Sequence, residues 1–392
     1  MKNLCKIECR KMLNKRNIIV ILIMCLLAIG GYFFIYEKQS SEFYSRLIET
    51  LDKDVQNATI NVEYIKSENK NLKGKELEDN NKLLDVWEKE KKYSDEILMY
   101  LKSGDIDEYE QKIIELFHER DLNVINYNKP QDISMLLRDD LKSINNRIDL
   151  YEYYHAKGET IRLNQKEPTL MYMLKNLSGN TFLFLLSVII IIALNADIWS
   201  YEFSKSGYRL LFTIPYSKST IYLSKVIVHF FVSLIAIVFV LMIPCILSVT
   251  LHGIGCDAFE IINQGVISNF LDVSNSSSLI VPIETYCMYT GLLFICYLIM
   301  AFSFINFISY ITKDIMMSYT LPILLGGIVY INCQNSSSIF KFDLFSYYLG
   351  NHILNGDLHI GFYFAIFSLL LMSICFHAIS LLLLKYRDMK EA

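Results

Sequence analysis

No cysteine falls between Glu37 and Pro168, although the chain has nine. A disulfide-stapled outer domain is therefore excluded, since bridges form where both the compartment and the residues allow them. Cys25, Cys245, Cys296 and Cys375 sit in apolar runs instead, where a thiol behaves as a small hydrophobe. Cys5 and Cys9 have no histidine or second cysteine pair beside them, so no metal centre is expected. The chain also lacks any Gly-x-x-x-x-Gly-Lys-Ser/Thr, and with it the phosphate cradle of a nucleotide site; Gly74-Lys75 has neither the flanking glycine nor the hydroxyl. Seven scattered histidines offer no positioned base for a nucleophilic triad, and His229 and His377 read as packed, hydrogen-bonded histidines of apolar segments. No tandem repeat or low-complexity tract is apparent. The expectation is a chain that is not an enzyme, holds no cofactor or metal, and has no nucleic-acid partner.

What is present is apolar surface, unevenly placed. Apolar residues make up 53% of the chain, above the usual share for a soluble domain. Residues 37–168 hold 21 Lys+Arg and 29 Asp+Glu, a net of −8, and the remainder holds 16 and 12, a net of +4. One long acidic insert thus interrupts a membrane-type sequence. A hydrocarbon core needs roughly 20 apolar residues of helix, and six segments meet or approach that: Ile18–Tyr36, Thr181–Asp197, Val226–Val249, Tyr286–Ile311, Ile315–Ile331 and Ile360–Leu384. The fifth is short and carries Pro322, Gly326 and Gly327; such breaks are tolerated where neighbouring helices cover the freed backbone.

Basic residues give an orientation. Lys2, Lys6, Arg10, Lys11, Lys15 and Arg16 precede the first segment. Lys205, Arg209, Lys218 and Lys225 lie between the second and third, Lys313 between the fourth and fifth, and Lys385, Arg387 and Lys390 after the sixth. Residues 252–285 have no Lys or Arg, and 332–359 have only Lys341. The positive-inside rule places both termini in the cytoplasm of a plasma-membrane protein; the insert is too long for that count, and its place after the first span puts it outside. Met1–Tyr36 reads as a retained span, because apolar residues continue through Tyr32–Ile35 past the small triplet at Ala28–Gly30.

The insert reads as helical. Phe43, Leu47, Leu51, Val55, Ala58, Val62 and Ile65 recur at spacings of three and four, one apolar stripe. After a break at Gly74, Leu77, Leu84, Trp87, Ile97 and Leu101 predict a second helix ending near Gly104; a third covers about 105–122, and Pro130 opens a fourth through Tyr154. Asn195 and Asp197, at the end of the second span, read as helix-end residues facing solvent, and Asp314 as a short-loop cap.

The stretch Trp199–Lys225 is amphipathic, with Leu210, Leu211, Phe212 and Ile214 set against Glu202, Lys205, Arg209 and Lys218. Pro215 ends one helix and Ser217 can cap the next. This pattern resembles the type-2 ABC exporter permeases, whose corresponding loop carries an acidic residue, a glycine, a hydrophobic stretch, a proline, a small polar residue and a lysine. Here those are Glu202, Gly207, Leu210–Ile214 (with Leu211 and Phe212 as apolar anchors), Pro215, Ser217 and Lys225. The N-terminal KIECRKMLNKR, with Glu8, Lys11 and Arg16, resembles the family's amphipathic interface helix, and Phe340–Asn355 its short re-entrant helices before the final span.

The resemblance implies an all-α fold: a six-transmembrane-helix protein with an interface helix over 1–17, a first span over 18–36, a helical extracellular domain over 37–168, and spans two to six over 169–392 around a coupling loop at 198–225. It implies a permease subunit of an ATP-driven exporter, partnered by a separate ABC ATPase that uses the ATP and by a second permease copy in a homodimer or with a related chain. A peptide or other amphipathic substrate, exported or resisted, fits that layout. A sodium exporter permease, or a membrane sensor whose outer domain binds a ligand without transport, stands as the alternative.

Overall fold

The computed structural model describes residues 2–105, 108–109, 111–112, 115, 149–150, 152–154, 156–157, 168–177, 181–204, 215–255, 259–270, 278–335, 347, 350–356 and 358–386. These divide into two compact units, one of Met1–Ile35 with Thr169–Ala392 and one of Tyr36–Pro168.

The first unit begins with α1 (Lys2–Met12) and α2 (Lys15–Gly31). Two asparagines fix the corner between them. Asn14 caps α2 by accepting from the Asn17 N–H at 2.9 Å, and its own amide donates to the Lys11 carbonyl at 2.9 Å. The buried Asn17 amide donates to the Met12 carbonyl at 2.8 Å, so the chain end of α1 keeps its polar groups satisfied. A π-helical turn, Tyr32–Glu37, follows α2.

Beyond the insert come α5 (Leu170–Leu177), α6 (Thr181–Asn195), α7 (Ser200–Ser204) and the long α8 (Lys218–His252). Ser217 caps α8 by accepting from the Thr220 N–H at 3.2 Å. Next are β1 (Phe259–Asn263), α9 (Gln264–Ser268), β2 (Ser278–Pro282), α10 (Ile283–Thr312), α11 (Ile315–Asn335), α12 (Gly350–Leu354) and α13 (Phe362–Tyr386). Asp314 caps α11, accepting from the Met317 N–H at 2.9 Å.

Among the described residues, five helical segments are long and apolar enough to cross a membrane: Lys15–Glu37, Phe182–Ser204, Lys218–His252, Ile283–Thr312 and Phe362–Lys385. The remaining expected segment, Ile315–Ile331, is helical throughout, within α11. Most of α10 and of Phe182–Ser204 is enclosed by other helices, while α2, α8 and α13 keep most of their surface outward. The described residues are mostly helical, as expected, with one short pair of strands added. β1 and β2 pair antiparallel, Phe259 opposite Pro282 and Asn263 opposite Ser278. Strands of five residues need little sequence signal, and Ile261-Ile262 and Leu279-Ile280-Val281 supply β-branched and apolar side chains.

Lipid tails are as apolar as leucine, so such a bundle is held by close packing and interhelical hydrogen bonds rather than by expulsion of water. The buried serines fit that rule: Ser233 on α8 receives the Asn195 amide at 2.8 Å, Ser303 and Ser373 join α10 to α13 at 2.6 Å, and Ser200 and Ser318 join α7 to α11 at 2.9 Å.

In the second unit, α3 (Lys38–Asn69) and α4 (Lys75–Ser103) pack against each other. Leu51, Ala58, Val62 and Ile65 are buried and Leu47 and Val55 partly so, while the Phe43 side chain lies outside the description. Tyr93, Ile97, Leu98 and Leu101 of α4 join Leu51 in one cluster. Gly74 (φ 68°) opens α4 and Gly104 (φ 78°) closes it, both in backbone regions costly for a residue with a Cβ. Lys66–Glu88 at 2.6 Å and Lys102–Asp52 at 3.0 Å pin opposite ends of the packed pair. The third and fourth expected helices lie mostly outside the described residues.

Candidate functional site

At one end of the first unit, charged side chains from α1, α7 and α8 meet. Lys225, on the second turn of α8, keeps only 2% of its side chain exposed. Its Nζ lies 2.9 Å from Glu202 Oε1, 4.0 Å from Glu8 Oε2 and 3.3 Å from the Ile198 carbonyl, and 5.1 Å from the centre of the Trp199 ring. A buried ammonium is tolerable only with such a set of partners. Lys11 Nζ bridges the same two carboxylates, 3.1 Å from Glu8 and 3.0 Å from Glu202. His229, one turn further along α8, turns Nε2 to within 3.8 Å of Glu8 and Nδ1 to 3.3 Å from Asn195 Oδ1.

Burial alone would raise the Glu8 carboxyl above its ordinary value. The His229 ring beside it and the Lys225 and Lys11 charges outweigh that and hold it at about 2. For Lys11 burial works against the charge, yet Glu8 and Glu202 together lift it above the ordinary lysine value.

A second pair lies beside the first. Arg16, at the start of α2, donates to Asp197 at 2.6 Å. Asp197 and Asn195 therefore do not face solvent as expected: one is ion-paired, and the other is fully buried, its amide donating to the Ile191 carbonyl and to Ser233, each at 2.8 Å. The enclosure of the bundle's end by α1 and α2 removes the water that a helix end would otherwise meet.

Trp199 sits in the turn between α6 and α7 and is 2% exposed. Its ring stacks on Tyr222 at 5.5 Å and meets Tyr310 edge-on at 5.8 Å. Its Nε1–H donates to Asn306 Oδ1 at 2.8 Å, and the Asn306 amide donates to the Tyr222 hydroxyl at 2.9 Å. Tyr222 in turn lies 2.8 Å from His377 Nδ1, whose Nε2 is 2.9 Å from Ser303. Both intramembrane-type histidines are thus packed and hydrogen-bonded, as read from the sequence.

The structure brings Glu202 and Lys225 into direct contact, makes Ser217 the cap of α8 and leaves Pro215 exposed just before it. Gly207, Leu211 and Phe212 lie outside the described residues. Glu8 and Lys11 enter as full members of the cluster, and Trp199, Asn306, Tyr222 and His229 were not foreseen as site residues. One signal was available: Glu8 shares a four-residue spacing with Leu4 and Met12, a carboxylate set on the buried stripe of α1.

Residues 157–334 match the model of the family described as ABC-2 family transporter protein. Together with the apolar helices, this match supports a type-2 ABC permease, a multi-pass membrane subunit of a kind generally not itself catalytic. The matched stretch contains α6 through most of α11, with Glu202, Lys225, Trp199 and Asn306, whereas Glu8 and Lys11 precede it. No curated protein and no solved structure matches the chain.

Proposed function

We propose that this chain is the membrane-spanning permease subunit of an ATP-driven ABC exporter, and that 199–225 together with α1 forms the surface on which a separate ABC ATPase docks. The observation that carries the reading is Lys225. Through Glu202 and Glu8 it ties the segment after the second span to the N-terminal helix, so a push on either moves both. Coupling by levers needs such a joint, because packed and ion-paired elements shift as units rather than deform. In this reading α11 is the sixth crossing, both termini are cytoplasmic, residues 37–168 are external, two permease copies face each other, and the cargo is a peptide or other amphipathic molecule moved outward.

The test is co-purification of the ATPase from native membranes with the wild-type chain and with Leu211→Ala/Phe212→Ala, alongside transport of a candidate peptide. Truncating a buried anchor commonly costs about 2 kcal/mol, roughly thirtyfold in affinity. The double variant should insert normally and lose both the ATPase and transport. Retention of both would remove 199–225 as the docking element.

A further inference from the structure

The N-terminal helix has a second face. Its inward row, Leu4, Glu8 and Met12, is buried against the bundle. Lys2, Lys6 and Arg10 stand two residues before each of these, and at about 100° per residue that puts them roughly 160° around the helix. All three are exposed, and no ion pair or hydrogen bond involves their side chains among the described residues. The one carboxylate of α1, Glu8, faces inward, where Lys225, Lys11 and His229 occupy it. The outward face therefore shows positive charge with nothing on the helix to cancel it. Interleaved with the ridge are two exposed apolar side chains, Ile7 at 52% and Leu13 at 58%. Lys15, exposed and unpaired as well, continues the ridge into α2.

We propose that this ridge of Lys2, Lys6 and Arg10 binds the headgroups of anionic phospholipids. Position selects the occupant. Only Leu13 and Asn14 separate α1 from α2, whose exposed Ile18, Ile19 and Leu22 begin an apolar crossing, and Asn14 and Asn17 fix the corner. A helix so tethered stays at headgroup depth, where phosphates are the densest anions and Ile7 and Leu13 can enter the acyl boundary. Each basic residue near an anionic surface strengthens association roughly fivefold. The inference needs only that the chain crosses a membrane; it does not depend on an ATPase or a cargo.

The experiment follows the thermal midpoint of the purified full chain in neutral detergent, titrated with phosphatidylglycerol or phosphatidylcholine. Phosphatidylglycerol should stabilise at a concentration at least about tenfold lower than phosphatidylcholine, and added salt should shrink the difference, as screening requires. Soluble glycerol phosphate, which lacks the acyl chains, should have little effect. Lys2→Gln/Lys6→Gln/Arg10→Gln should keep the midpoint in neutral detergent and lose the preference, while Lys2→Arg/Lys6→Arg/Arg10→Lys should retain it. Equal midpoints for the two lipids, or a preference unchanged in the glutamine variant, would overturn the proposal. An unchanged preference combined with loss of a co-purifying ATPase would assign the ridge to an acidic protein surface instead.

Discussion

At the scale of single residues, Lys225 and Glu8 make the strongest demands on their surroundings. Removing one partner from a buried ion pair leaves the other charge uncompensated, at a cost of about 3–5 kcal/mol. Lys225→Met should therefore lower the thermal midpoint, since Glu202 and Glu8 lose their buried cation and keep only the half-exposed Lys11 between them. Adding Glu202→Gln to it should recover part of the loss, a coupling read from a double-mutant cycle. Glu8 gives a pH signature. Its folded carboxyl titrates near 2 against an ordinary 4.5, so its contribution is full above about 4.5 and disappears as pH falls toward 2. The stability gap between wild type and Glu8→Gln should thus be constant from neutral pH to about pH 5 and close below that, measured by denaturation at each pH. A gap that closed already between pH 7 and 6 would mean that a different group controls it. None of this pairing is legible from spacing alone, because Glu8 and Lys225 lie far apart in the chain; what the sequence does hold is the misfit of a carboxylate on the row of Leu4 and Met12.

Among elements, the α3–α4 pair was readable almost to the residue. Its apolar side chains recur at three and four, and glycines stand where the backbone enters positive φ. The strands β1 and β2 were not readable, because five-residue apolar runs fit a strand, a buried helix segment or an interfacial loop equally well. Polar character misled at Asn195 and Asp197, since which helix ends meet water is decided by α1 and α2, elements distant in sequence. Because α3 and α4 bury their stripes against each other, residues 36–168 expressed alone should give a strongly helical circular dichroism spectrum, and Gly104→Ala should lower its melting midpoint by an amount equivalent to about 1 kcal/mol, the cost of forcing a Cβ into the left-handed region. A coil spectrum from the isolated piece would show that the stripe is covered from elsewhere.

For the whole molecule, hydropathy made five crossings plain, and the sixth expected segment, within α11, carries Pro322, Gly326 and Gly327 in its apolar run. The proposed orientation has a direct check on intact cells. In a background without native cysteines, Lys75→Cys should react with an impermeant thiol reagent, while Tyr216→Cys should react only after the cells are opened. The reverse pattern would turn the molecule over and put the Lys225 cluster on the outer side.

The order of synthesis adds a consequence to that cluster. Glu8 and Lys11 leave the ribosome more than 200 residues ahead of Lys225. At about 5–20 residues per second, that is a delay of roughly 10–40 s. During it the whole of 37–168 must be made, and Glu8 has no Lys225 or His229 to meet. Burial of its charge cannot come first, so α1 waits hydrated at the bilayer surface and seats no earlier than the arrival of the nascent α8. A ribosome stalled before residue 225 should therefore hold a chain whose first helix is still open to protease, and one stalled after the bundle is complete should not.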